Sequence, residues 1–262
     1  MMKQSHQAIL WTTAVMLLRA PLRLVLFGLL PEGADAAVQD IVLIAVQLLL
    51  WGIPLVAMRP SCGKEEPRPS ALLIVPVGFA LQYTMMIVCQ WFSQLLQLEQ
   101  TPFLPPETPL GWAMSILCRV IVPAALEELF FRGMLYGSIR RDYGEGSAFV
   151  ISSAVFALCH GSLAGLPAHI MFALVLGWCM MSTGNIWLCI LLHLAINGAA
   201  VIFSLMPMEF SHPVALLACA VLALWPVLQA MENRPRPSLY LKAEPLLLAL
   251  PVVLVCAAAY FV

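Results

Sequence analysis

Apolar runs long enough to cross a bilayer recur from one end of this chain to the other, separated only by short polar or Pro/Gly breaks, and they restrict its fold more than any other feature. They lie near residues 8–30, 38–57, 71–96, 110–135, 147–161, 167–182, 186–206, 213–231 and 245–261. A spanning helix needs about 20 predominantly apolar residues, fewer where protein shields it. The expected fold class is therefore all-α: a polytopic transmembrane helix bundle with eight or nine spans. Only 10% of residues are charged and the mean hydropathy is +0.93, against roughly 25% charged residues in a soluble domain.

A net charge of -1 implies no polyanionic partner such as nucleic acid. Seven of the eight cysteines stand singly in apolar segments, Cys62 stands alone in a loop, and no CxxC pair occurs, a pattern of packing residues rather than disulfides or a thiolate metal site. The 14 methionines likewise suit gap filling better than copper. With no Gly/Ser linker or low-complexity tract, residues 1–262 are expected to form one integral membrane domain, its motif-bearing core at about 110–200. Lys3 followed by apolar residues without a small-residue cleavage site reads as a retained first span rather than a signal peptide.

Basic residues set the expected orientation. With nine spans, Lys3, the 58–70 loop (Arg59, Lys64, Arg68), Arg140 with Arg141, and Arg234, Arg236 and Lys242 all fall on one side, while the alternate loops carry acids and no Lys or Arg. The positive-inside rule then puts the N-terminus in the cytosol and the C-terminus outside, as in a bacterial inner membrane. Arg19 and Arg23 interrupt the first segment four residues apart and read as an anchor near the headgroups, with snorkelling or an acidic partner as alternatives.

Charge within apolar segments is a different matter. Ionisable groups at membrane depth are expensive and mark functional sites. Segment 110–135 holds Glu127, Glu128 and Arg132; two later segments hold His160, then His193 with Asn197. Glu128 and Arg132 stand at i and i+4 in the favourable order for a helical ion pair. Glu127 is rotated about 100° from Glu128, so one carboxylate can face a cavity while the other holds the arginine. Counting about 1.5 Å per residue from the cytosolic ends places Glu127 at ~12 Å, His160 at ~20 Å, His193 at ~12 Å and Asn197 at ~18 Å, one layer open to the cytosol. His193 and Asn197 share a helix face, as do Phe156 and His160. An imidazole beside a carboxamide can donate two hydrogen bonds to an oxyanion, and a carboxylate with another imidazole can move a proton between water and a leaving amine.

The stretches Glu127-Glu128-Leu-Phe-Phe-Arg132, Phe156-Ala-Leu-Cys-His160 and His193-Leu-Ala-Ile-Asn197 resemble the EExxxR, FxxxH and HxxxN motifs of the CPBP family of CAAX prenyl endopeptidases, bacteriocin-processing and immunity proteins, and related intramembrane proteases. All three motifs stand in order on separate apolar segments. The resemblance implies a glutamic-type intramembrane protease whose substrate is a membrane-anchored protein or peptide. It assigns Glu127 and His160 to water activation and His193 with Asn197 to the oxyanion hole; Glu128, Arg132 and Phe156 support the site.

Other readings remain at this stage. Glu128 and Arg132 suit a buried structural pair even in an enzyme, and a bacteriocin-immunity or membrane scaffold protein could keep the cluster without catalysis. Two histidines and a glutamate could hold zinc, but HExxH is missing and Asn is a poor zinc ligand, so no cofactor is expected. Ser152 and Ser153 lie near His160 without a GxSxG context, and no inverted repeat suggests a transporter. Oligomeric state and cleavage site are not encoded legibly.

Overall fold

The computed structural model describes residues 2–31, 33–59, 74–99, 105–205, 239–258 and 260. The expected span at 213–231 and the basic loop residues Lys64, Arg68, Arg234 and Arg236 lie outside them.

Among the described residues eight helical segments follow one another: α1 Gln4–Gly28, α2 Ala36–Met58, α3 Ile74–Leu96, α4 Pro109–Tyr143, α5 Glu145–Leu158, α6 Leu166–Thr183, α7 Ile186–Ser204 and α8 Ala243–Ala258. No strand occurs among the described residues. Six of the eight, all but α5 and α8, are long and apolar enough to cross a membrane. The chain is an all-α, multi-pass membrane protein. Leu10, Leu24, Val56, Leu95 and Leu254 lie on its exposed surface, as expected where the solvent is lipid.

Local chemistry sets the ends. Asp35 caps α2 by accepting from the Ala37 N–H at 3.1 Å, and Thr108 caps α4 by accepting from the Gly111 N–H at 3.0 Å, with Pro109 at the first position where no N–H is required. A single residue, Gly144 at φ 97°, turns α4 into α5. Two residues turn α6 into α7: Gly184, left-handed at φ 62°, and Asn185, whose side chain accepts from the Trp187 and Leu188 N–H groups.

Helix α4 runs through the middle, packed on α1, α2, α5 and α7. It is not uniformly α: Leu117–Ile121 and Leu129–Tyr136 are π-helical, a form that clusters at functional sites. Small residues allow close crossings around it. A Cβ on Gly78 of α3 would sit 2.6 Å from the Ala195 Cβ of α7, and one on Gly177 of α6 would sit 2.5 Å from the Ser153 Oγ of α5, the small-residue packing that brings membrane helices together without a hydrophobic drive.

One expectation needs correction. Helix α4 does not stop at residue 135; it continues to Tyr143, because its polar last turns are satisfied. Arg140 Nε pairs with Glu145 at 3.1 Å, Arg141 hydrogen-bonds the Gln4 side chain, and Asp142 accepts from the Ser5 N–H at 3.0 Å and the Ser5 hydroxyl at 2.5 Å. At about 1.5 Å per residue, the 16 residues from Glu127 to Tyr143 place Glu127 about 24 Å from that end rather than ~12 Å. His193 still reaches the level of the paired acids, where its Nδ1 lies 2.8 Å from Glu128 Oε1.

Candidate active site

The centre of the polar cluster is one oxygen. Glu128 Oε1 accepts from Arg132 Nη1 at 3.1 Å and from His193 Nδ1 at 2.8 Å, which joins α4 to α7. Glu128 and Arg132 have no exposed surface and His193 has 1%. A buried charge is tolerated only when paired and hydrogen-bonded, and Arg132 is held on three sides. Besides Glu128, its Nη2 donates to the Ala173 carbonyl of α6 at 3.3 Å, and its guanidinium lies 4.3 Å from the centre of the Phe156 ring, close enough for a cation–π contact. Ser153 Oγ donates to the same Ala173 carbonyl at 3.1 Å.

Phe156, also without exposure, ties the second motif to the first. Its ring packs edge-on to Phe131 at 5.1 Å, to Phe172 at 5.4 Å and to His193 at 6.1 Å. His160 stands just past the end of α5. Its Nδ1–H donates to the Phe156 carbonyl at 2.8 Å, since a carbonyl can only accept. That bond fixes the tautomer and leaves the Nε2 lone pair as the base. The His160 ring stacks on His169, from the first turn of α6, with centroids 4.0 Å apart and 21° between planes.

Glu127 is half-buried and its carboxylate makes no hydrogen bond or ion pair among the described residues. Two neighbouring acids have thus divided: Glu128 is locked, Glu127 is uncommitted.

Asn197 lies one turn beyond His193, and its Nδ2 donates to the Arg119 carbonyl of α4 at 3.2 Å. Pro123 stands four residues on and has no N–H to return to that carbonyl, and Asn197 supplies a donor from another helix. One amide hydrogen is taken and the other is free.

The expected set therefore converges in part. Glu128, Arg132, Phe156 and His193 form one contact group, His160 joins it through Phe156, and Asn197 is turned to the backbone of α4. Glu127 faces the group by charge without a direct bond. The fold also brings in two residues outside the expected set. His169 stacks on His160, and Arg19 reaches from α1 to hydrogen-bond the Cys159 carbonyl, at the end of α5 beside His160. The glycine turns at 161 and 165 and Pro167, which fold the chain back after His160, were the signal for His169.

A zinc site requires three or four donors around one point. Among the described residues no three His, Cys, Asp or Glu side chains gather where they could share a metal ion, and the residues as placed do not fit one.

Residues 109–199 match the family model described as Type II CAAX prenyl endopeptidase Rce1-like. The protein named "Putative membrane peptidase YdiL" from Bacillus subtilis (strain 168) is 30% identical over 96 residues, which cover 37% of this chain and 39% of that protein. No solved structure matches the chain. All three motifs fall inside the matched segment, where Glu128, Arg132, Phe156 and His193 meet; over that segment the chain is similar to the CPBP family.

Proposed function

We propose that the protein is a glutamic-type intramembrane endopeptidase that hydrolyses a peptide bond in a membrane-anchored protein or peptide. The observation that carries this reading is the division of labour at Glu127-Glu128: a locked carboxylate that orients His193, next to an uncommitted one.

In this scheme Glu127 takes a proton from water, with His160 Nε2 accepting from the same water. The water oxygen bonds to the substrate carbonyl carbon and the C=O electron pair moves to oxygen. His193 Nε2–H and the free amide hydrogen of Asn197 donate to that oxyanion. The C–N bond then breaks, the proton passes from Glu127 to the leaving amine, and the products are a new carboxylate terminus and a new amine. Since His193 Nδ1–H is given to Glu128, the donor role at Nε2 requires the imidazolium. The carboxylate at 2.8 Å stabilises it, as a buried acid stabilises the imidazolium of a catalytic triad. No metal ion enters the scheme. The N-terminus faces the cytosol in this reading, with Lys3, Arg59, Arg140 and Arg141 on that side.

The test is a comparison of peptide termini in membranes containing wild-type protein or Glu127→Gln. One terminus present only with wild type supports the reading; a general base contributes about 10²–10⁴-fold to rate, so the product should be undetectable in the variant. Identical termini in both membranes would reduce the cluster to structure and favour an immunity or scaffold protein.

A further inference from the structure

Away from Glu127 and His160, at the end of the bundle where α1 begins, a cavity of ≈ 350 Å³ opens between α1, α2, α4 and α6. Its volume is on the order of ten waters. The wall is strongly basic: Arg59, Arg132, Arg140 and Arg141, together with Gln4 and Tyr136. Two of these arginines have acidic partners, Arg132 with Glu128 and Arg140 with Glu145. Arg141 is bonded to the neutral Gln4, and its neighbour Asp142 is occupied by Ser5. No acid among the described residues pairs with Arg59.

Arg59, Arg140 and Arg141 are exposed, whereas Arg132 and Tyr136 have no exposed surface, so the three exposed arginines are the groups that an oxyanion in the cavity can reach.

We propose that this cavity binds the phosphate of an anionic phospholipid headgroup. Lipid is favoured over a free anion by position, since the cavity lies between helices that cross the membrane and at the end of the bundle where their basic residues collect. Arg132 belongs both to this wall and to the Glu128–His193 group.

The experiment is lipid binding by the full chain in detergent, read by native mass spectrometry with phosphatidylglycerol, phosphatidylcholine or inorganic phosphate as probes. Wild type should prefer phosphatidylglycerol to phosphatidylcholine. Arg59→Gln/Arg141→Gln should lower that preference roughly thirtyfold, at about 1 kcal/mol per arginine and 1.4 kcal/mol per tenfold. Lys3→Gln removes a same-end charge outside the wall and should change nothing. Equal binding of the two lipids, or a preference that survives the double variant, would overturn the proposal; inorganic phosphate bound as tightly as lipid would overturn the lipid assignment and leave a soluble-anion site.

Discussion

Glu128→Gln removes one negative charge from a position with no exposed surface and leaves Arg132 cationic beside it, equally buried. Breaking a buried pair from one side costs about 3–5 kcal/mol, because the surviving charge is uncompensated. Arg132 keeps the Ala173 carbonyl at 3.3 Å and the Phe156 ring at 4.3 Å; a desolvated cation–π contact contributes roughly 2 kcal/mol, which puts the loss near the lower end of that range. At roughly 2–4 °C per kcal/mol for a chain of this size, the melting temperature should fall by about 6–12 °C. The diagnostic variant is the double Glu128→Gln/Arg132→Met, in which the stranded cation is gone as well. A polar pair replaced from both sides is often nearly neutral, so the double should be no less stable than the single. Thermal unfolding in detergent, followed by intrinsic tryptophan fluorescence, reads all four members of the cycle. A Glu128→Gln protein within about 2 °C of wild type, or a double variant that loses the sum of both singles, would refute the assignment of Glu128 and Arg132 as a coupled buried pair.

Three further outcomes follow from the same contacts. Glu127→Gln should unfold within about 2 °C of wild type, because the side chain it replaces has no bonded partner among the described residues, while the proteolytic product disappears; a large loss of stability would make Glu127 structural. Asn197→Ala should destabilise by about 1 kcal/mol through the lost bond to the Arg119 carbonyl, yet reduce kcat by roughly 10²–10³ if the amide also serves the oxyanion, and turnover assays that show only the small effect would confine Asn197 to joining α4 and α7. Gly78→Leu should destabilise by roughly 1–3 kcal/mol, since its Cβ alone would lie 2.6 Å from that of Ala195; wild-type thermal stability would refute close α3–α7 packing.

The helices were legible because lipid leaves the backbone little choice. Segments read as 38–57, 167–182 and 186–206 end within two residues of Ala36–Met58, Leu166–Thr183 and Ile186–Ser204. The failure at α4 is instructive for the same reason. Polar residues from Ser138 to Asp142 read as a loop when each is judged by hydropathy, but Arg140, Arg141 and Asp142 are bonded to Glu145, Gln4 and Ser5. Glu145 is brought near by the Gly144 turn, and Gln4 and Ser5 by α1, over 130 residues away, so no local window contains the last two. The π-helical stretches were hidden too. Pro123 signals a disturbed helix, but which helix would answer the open Arg119 carbonyl depends on the packing of α7.

At the site, the residues that must work as a pair within one helix were visible from their spacing, and those that act between helices were not. Glu128 with Arg132 at i and i+4 could be read directly, and it forms at 3.1 Å even though the intervening helix is π rather than α. The anchoring of His193 by Glu128 was not readable, and it changes the chemistry: a histidine whose Nδ1–H is committed to a carboxylate offers a lone pair at Nε2 when neutral and a donor only when charged. Arg19 shows the same limit from the other side. Its charge in an apolar span was evident, and an interfacial anchor was the simplest use for it. Only the fold brings its guanidinium to the Cys159 carbonyl, where it caps the end of α5 and adds a positive charge beside both Glu127 and His160. That bond ties α1 to the residue before His160, so the position of a proposed catalytic group depends on a helix outside all three motifs.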